Sequence, residues 1–318
     1  MANWTTADIP SQQGRSSVIT GVAGLGFETA LALVRAGGET ILAGRSAEKG
    51  RAAVARIVAS VPKANVRFEQ LDLASLASVA AFGERLRGQR KSLDLLVNNA
   101  GIMALPKRGV TADGFELQLG TYYLGHFALT AALLPLLRQG QDPRVVSLSS
   151  ISANGAKIDF NDLQSAQSYR PMVAYGQTKL AMLMFAYELQ RRSDAGGWGI
   201  KSIAAHAGIA RTELVANGVG RNGPMAMVLR VFGPLMSQLP AQGALPTLFA
   251  ATSPAAKGGA YYGPDGRGGL KGFPTSAKAP PQALDLNVAR RLWEVSLGLT
   301  GVSFAPAARV AVPVGHLI

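Results

Sequence analysis

The 318 residues include no cysteine, only three histidines and only 7% aromatic side chains. Without cysteine there is no disulfide, no thiolate nucleophile, no iron–sulfur cluster and no cysteine-based zinc site. His126, His206 and His316 lie far apart in the chain and make a poor metal set. The chemistry must therefore come from hydroxyls, lysines, carboxylates or a bound organic cofactor. The first residues, MANWTTADIP, have no basic start followed by an apolar run, so no secretory signal is expected. A run of about 18 uncharged apolar residues, which a membrane helix needs, is also missing. The nearest candidate, Pro224 to Leu239, is interrupted by Arg230 and broken at Gly233 and Pro234. The expectation is a cytoplasmic protein with no integral membrane segment. Acidic residues are scarce too, 19 against 32 basic ones, for a formal charge of +13. A nucleic-acid surface would cluster those bases with aromatic side chains. Here they are spread from Arg15 to Arg309, so no nucleic-acid partner is expected.

What the chain does have is apolar patterning, with 48% hydrophobic and 16% charged residues, as in a folded, core-rich protein. Short β-branched runs recur at Ser17–Thr20, Thr40–Gly44, Val66–Gln70, Leu93–Asn98, Arg144–Ser149, Ser202–His206 and Ala260–Tyr262. Between them Phe27–Ala36, Ala47–Val61, Leu76–Arg87, Phe115–Leu137 and Val173–Arg192 carry apolar residues at helical spacing. Strands alternating with helices imply βαβ units. The predicted architecture is a single α/β domain over 1–318, a doubly wound parallel sheet of the Rossmann type with about seven strands and helices on both faces. Glycine and proline become frequent after Gly208, so 209–280 is expected to be a lid or substrate-binding insert, and 281–318 a C-terminal helix and tail.

The first strand runs into Thr20-Gly21-Val22-Ala23-Gly24-Leu25-Gly26 and then a helix. Glycines there let a backbone approach a pyrophosphate, and the free N–H groups of the helix start stabilise it. Gly21, Gly24, Leu25 and Gly26 are thus candidate cofactor contacts. The second strand ends in Gly44-Arg45-Ser46, with Lys49 following. An acidic residue at this place holds a ribose 2′-hydroxyl, whereas Arg45 and Lys49 suit a 2′-phosphate, which points to NADP(H). Asp72, with Leu73 beside it, fits an adenine contact or a cap on the next helix.

Tyr175 and Lys179 stand four apart, on one face of a helix. A unit charge ~4 Å from the phenol at an effective dielectric of ~20 is worth roughly 4 kcal/mol, about three pKa units. Such a shift would bring a phenol close to neutrality, as a proton donor and acceptor for a carbonyl/alcohol pair requires.

With Thr20-Gly21…Gly24-Leu25-Gly26, Asn98-Asn99-Ala100-Gly101, Ser150 and Tyr175…Lys179 in order, the stretch from Ser16 to Leu214 resembles the short-chain dehydrogenase/reductase family. The strings Leu124-Gly125-His126-Phe127-Ala128-Leu129-Thr130, Ala174-Tyr175-Gly176-Gln177 and Ala289-Arg290-Arg291-Leu292-Trp293-Glu294 resemble its retinol-dehydrogenase-like branch. The resemblance implies an NADP(H)-dependent oxidoreductase acting on a small-molecule carbonyl or alcohol, and it is compatible with a homo-oligomer. Tyr175 would protonate the carbonyl oxygen, Ser150 would hydrogen-bond it, and Lys179 would tune Tyr175 and bind the nicotinamide ribose. Asn99, Ala100, Gly101, Gly208 and Thr212 would border the cofactor.

The chain departs from that pattern close to the site. Only Val22 and Ala23 separate Gly21 from Gly24, one residue fewer than the family's turn. Tyr122 stands where the family's proton relay has an Asn, so a relay water would have to be held by the backbone carbonyl at 122. Tyr122 and Tyr123 are expected to add aromatic surface to the substrate pocket. Ala207-Gly208 replaces the usual Pro-Gly, and Thr178 and Met182 replace Ser and Asn. These departures allow two readings, a working reductase with a reshaped site or an impaired NADP(H)-binding regulator. Met225, Met227, Val228, Leu229, Val231, Phe232, Leu235 and Met236 make a flexible apolar segment suited to a bulky hydrophobic substrate, or equally to core packing.

Overall fold

A computed structural model describes residues 3–103, 105–210 and 237–304. Eight strands share one sheet: β1 (Ser16–Thr20), β2 (Glu39–Gly44), β3 (Val66–Gln70), β4 (Leu95–Asn98), β5 (Arg144–Leu148), β6 (Lys201–Ala205), β7 (Tyr261–Pro264) and β8 (Pro274–Ser276). Their order is β3-β2-β1-β4-β5-β6-β7-β8. All neighbours pair in parallel except β7 with the short edge strand β8, which is antiparallel. The parallel strands are apolar on both faces because each is covered from both sides, and Val18, Ile19, Ile41, Leu42, Val145 and Val146 are fully buried.

The helices α1 (Gly24–Arg35), α2 (Ala47–Ser60), α6 (Pro240–Gly243) and α7 (Leu245–Thr252) lie on one face. Phe27, Leu33, Ile57, Leu248 and Phe249 form the core there. The other face carries α3 (Leu76–Gln89), α4 (Gly125–Leu137), α5 (Pro171–Gly196) and α8 (Leu286–Thr300). Local signals explain the helix ends. Ser46, Ser75 and Asp285 cap α2, α3 and α8, Pro171 opens α5, and Gly197 and Gly301 close α5 and α8 in left-handed conformation.

One expectation needs correction. The helix read across Phe115–Leu137 is divided, because Leu119–Leu124 is a π-helical turn that leads into α4. The described part of 209–280, the range expected to be a lid or substrate-binding insert, supplies α6, α7, β7 and β8 to the sheet and its packing layer, and 211–236 lie outside the described residues. Buried Arg144 of β5 ties that layer down, donating to the carbonyls of Ala250 (3.1 Å) and Ser253 (2.9 Å) at the end of α7. The Met-rich segment 225–236 lies outside the described residues. Among the described residues no helix is long and apolar enough to cross a membrane.

The C-terminal helix α8 closes the back of α4 and α5 with aromatic rings. Trp293 meets Phe127 at 4.9 Å, stacks on Phe185 at 5.8 Å and meets Phe304 at 4.5 Å between ring centroids. Arg192 of α5 lies 4.4 Å over the Trp293 ring and bonds Glu294 at 3.1 Å. Trp293→Ala should therefore cost about 3–5 kcal/mol, as large aromatic truncations in cores do. Urea unfolding measures this, and a loss below about 1 kcal/mol would show that α8 is not part of the cooperative core.

Candidate active site

The sheet order reverses direction between β1 and β4, and in an open parallel sheet the crevice that takes a ligand lies outside the carboxyl ends of the strands at such a reversal. Parallel register brings the functional segments together. Ile19 pairs with Val97 and Asn98 pairs with Ser147, so the residues following β1, β4 and β5 emerge side by side. The turn after β1 has Gly21 at φ 93°, and α1 starts without a side-chain cap on its first N–H groups. A Cβ at Gly21 would lie 2.8 Å from Asn99 Nδ2, and one at Gly26 would overlap the Gly21 carbonyl. Asn99 Nδ2 instead donates to the Thr20 carbonyl at 2.7 Å and holds the turn against β4. The result is an uncapped helix start beside a backbone turn with no side chain in the way, which fits a dinucleotide diphosphate.

Arg45 and Lys49 are both exposed at the start of α2, where Ser46 Oγ accepts from Lys49 N at 3.3 Å. Asp72 does not cap α3. Its carboxylate accepts from Ala74 N at 3.0 Å, and Ser75 is the cap. The Leu73 side chain is buried in the core beside Gly125 of α4, which leaves its backbone as the part that could meet a cofactor. Ala100 and Gly101 follow β4 at the crevice, and Gly208 follows β6 with its N–H 3.3 Å from His206 Nδ1. Thr212 lies outside the described residues.

Tyr175 and Lys179 are on α5 as the spacing requires, and both side chains are buried. The Tyr175 hydroxyl is in hydrogen-bonding reach of the hydroxyls of Ser150 and Tyr122. Ser150 begins the single turn after β5, accepting from Ser152 N at 3.2 Å. Ser149 has a different task, donating to the Lys179 carbonyl at 2.8 Å and so fixing α5 against β5. Lys179 Nζ donates to the Leu148 carbonyl at 3.1 Å and sits 3.7 Å over the Tyr122 ring.

The electrostatics differ from the simple charge-pair expectation. Burial dominates, raising the Tyr175 phenol to about 12 against the hydrogen bonds from Ser150 and Tyr122, which lower it. Burial also lowers Lys179 to about 7. The ammonium is directed at the Leu148 carbonyl and the Tyr122 ring, 5.7 Å from the Tyr175 ring centre, rather than at the phenol oxygen.

His126 is the residue that sequence reasoning left without a role. Its Nδ1 is 2.6 Å from the Tyr122 carbonyl and its Nε2 2.8 Å from Thr20 Oγ1. A carbonyl only accepts, so Nδ1 carries the proton and Nε2 accepts from the Thr20 hydroxyl. Thr20 Oγ1 in turn accepts from Asn99 N and Ala100 N, each at 2.9 Å. The carbonyl at 122, the expected holder of a relay water, is thus taken by an imidazole. Tyr123 also needs correction. Its ring packs on Phe127 and Phe185 and its hydroxyl bonds Ser296 at 2.8 Å, so it belongs to the core behind the site. The i, i+4 spacing of Tyr122 and His126 was the one available signal for this link.

Comparison with known proteins gives the same picture. The sequence profile of the family described as short chain dehydrogenase matches residues 16–220. The chain belongs to the short-chain dehydrogenase family. Its relatives include mouse polyprenol dehydrogenase, 38% identical over 92% of this chain and 86% of that protein. Human retinol dehydrogenase 13 is 39% identical over 93% and 87%. These similarities place it in the retinol-dehydrogenase-like branch. Among solved structures, an uncharacterized protein from Mycobacterium paratuberculosis is 37% identical, covers 96% of this chain and 100% of its own, and superimposes with a TM-score of 0.79. As members of a dehydrogenase family, such chains are oxidoreductases with a nicotinamide cofactor.

In this short-chain dehydrogenase, burial holds His126 near 3 and His206 near 4, both below the ordinary 6.5. The unfolded chain binds those protons at about 6.5 and the folded chain only at the lower values. Their contribution to stability is full above about pH 6.5 and is lost as the pH falls through 4 and 3, by up to about 1.4 kcal/mol per pH unit for each imidazole. Urea midpoints should fall between pH 7 and pH 5, and His126→Asn should flatten the fall by one proton's slope. An unchanged slope in that variant would contradict the burial of a neutral imidazole.

Proposed function

We propose that the protein interconverts a ketone or aldehyde and the corresponding alcohol with NADP(H), on a bulky apolar substrate. The convergence of Ser150, Tyr175 and Lys179 at the switch-point crevice carries this reading. The backbone of Gly21, Gly24, Leu25 and Gly26 would hold the cofactor diphosphate, Asn99, Ala100 and Gly101 would border it, and Arg45 with Lys49 would meet a 2′-phosphate. When bound, the cofactor supplies the hydride to the carbonyl carbon. The residues of the chain manage the proton. Tyr175, held up near 12, keeps its proton at neutral pH and gives it to the carbonyl oxygen in the reductive direction. Ser150 donates a hydrogen bond to the same oxygen and stabilises the charge that develops there.

The exposed Arg45 directly after β2, where a fold that holds a ribose 2′-hydroxyl places a carboxylate, and the exposed Lys49 support NADP(H) over NAD(H). The relatives named for retinol and polyprenol support an apolar alcohol or its carbonyl as substrate.

Following NADPH absorbance with a panel of aryl, alicyclic and long-chain carbonyls tests the reaction. Wild-type turnover should fall by roughly 10²–10⁴-fold in Tyr175→Phe, the usual contribution of a general acid. Tight NADPH binding without turnover on any substrate would instead identify a cofactor-binding regulator. Arg45→Asp should weaken NADPH by about 10–100-fold, the worth of a charge-assisted hydrogen bond, and leave NADH affinity intact. A wild type that already prefers NADH would refute the assignment of Arg45.

A further inference from the structure

Tyr122 is 2% exposed and lies within the π-helical turn, where Gly125 N–H reaches back to the Gly120 carbonyl. A π turn inserts an extra residue into a helix and commonly marks a functional position. Three neighbours fit themselves to its side chain. The Lys179 ammonium sits 3.7 Å from the ring centre. The Tyr175 ring meets it edge to face at 6.0 Å, with the two hydroxyls in hydrogen-bonding reach. Gly101 leaves the room, since a Cβ there would fall inside the Tyr122 ring. His126 fixes the backbone of the turn through the Tyr122 carbonyl, so the ring has little freedom to move away.

We propose that Tyr122 is a positioning residue for proton transfer, its hydroxyl donating to Tyr175 Oη and its ring face holding the Lys179 ammonium. The proposal rests on the reading of Tyr175 as the proton donor. In the reductive direction the Tyr175 O–H bond breaks and an O–H bond forms at the substrate oxygen, while the reduced nicotinamide gives its hydride to the carbon and is oxidised. The negative charge left on Tyr175 Oη then receives the Tyr122 hydrogen bond, which is stronger to an anion than to a neutral phenol. The ring quadrupole does the matching work for the cation, which burial otherwise drives toward its neutral form. Among the described residues, the charged and titratable groups facing Tyr175 are Tyr122 from the π turn and Lys179 from α5. Neutral His126 of α4 lies one layer behind, and Ser150 comes from the segment after β5.

Two substitutions separate the hydroxyl from the ring. Tyr122→Phe keeps the ring and should leave NADPH affinity within about twofold, while lowering kcat for alcohol oxidation about tenfold by moving the rising limb of its pH profile up by about one pH unit. Tyr122→Leu removes the ring as well. In the cofactor-free protein it should lower the midpoint at which the Lys179 Cε resonance titrates by about one pH unit, whereas Tyr122→Phe leaves that midpoint near 7. A wild-type kcat–pH profile in Tyr122→Phe, or an unmoved Lys179 midpoint in Tyr122→Leu, would overturn the proposal. So would a loss of NADPH affinity beyond tenfold in Tyr122→Phe, which would make Tyr122 a cofactor contact. Tyr175→Phe is run beside them: if it stays active, the assignment of Tyr175 fails, whereas its inactivity beside a wild-type profile for Tyr122→Phe removes only the role of Tyr122.

Discussion

One buried hydroxyl connects the elements that meet at the crevice. Thr20 Oγ1 ends β1, accepts the N–H groups of Asn99 and Ala100 beyond β4, and donates to His126 of α4. Through the other nitrogen of that imidazole it reaches the Tyr122 carbonyl. A hydroxyl in an apolar interior cannot leave such groups unpaired without a cost of about 1–3 kcal/mol each. The glycine-rich turn, the segment following β4 and the π turn therefore hold their places together.

On that frame the chain buries a lysine and two tyrosines in contact, an arrangement that costs stability and is the usual mark of a working site. Burial acts in opposite directions on acid and base, raising the phenols and lowering the ammonium. Both phenols thus keep their protons at neutral pH. Hydrogen bonds from Ser150 and Tyr122 favour the charged form of Tyr175, and the face of the Tyr122 ring holds the Lys179 ammonium.

Most of the sheet was legible from the sequence because buried parallel strands are short apolar runs between helical segments, and seven of the eight strands lie where those runs do. The edge strand Pro274–Ser276 was not, since its three residues carry no apolar run and pair only because β7 precedes them. That Tyr175 and Lys179 share a helix face was legible from their spacing, and Ser150 stood out only through the family resemblance. The direction of the Lys179 ammonium was not, because spacing places two residues on a face without saying which acceptor each will find. The same limit explains Tyr122 and Tyr123, adjacent in sequence. One turns to Tyr175 and Lys179 and the other to Phe127 and Phe185, and only the π turn decides which.

The most direct test of the account is where the hydride goes. NADPH carrying deuterium on the transferred position of nicotinamide C4 is incubated with the protein and apolar aldehydes and ketones, and the alcohol is examined by mass spectrometry. The account predicts one deuterium on the carbinol carbon and matching oxidation of the cofactor. Cofactor that binds but retains all of its deuterium, with no alcohol formed from any carbonyl, would contradict it.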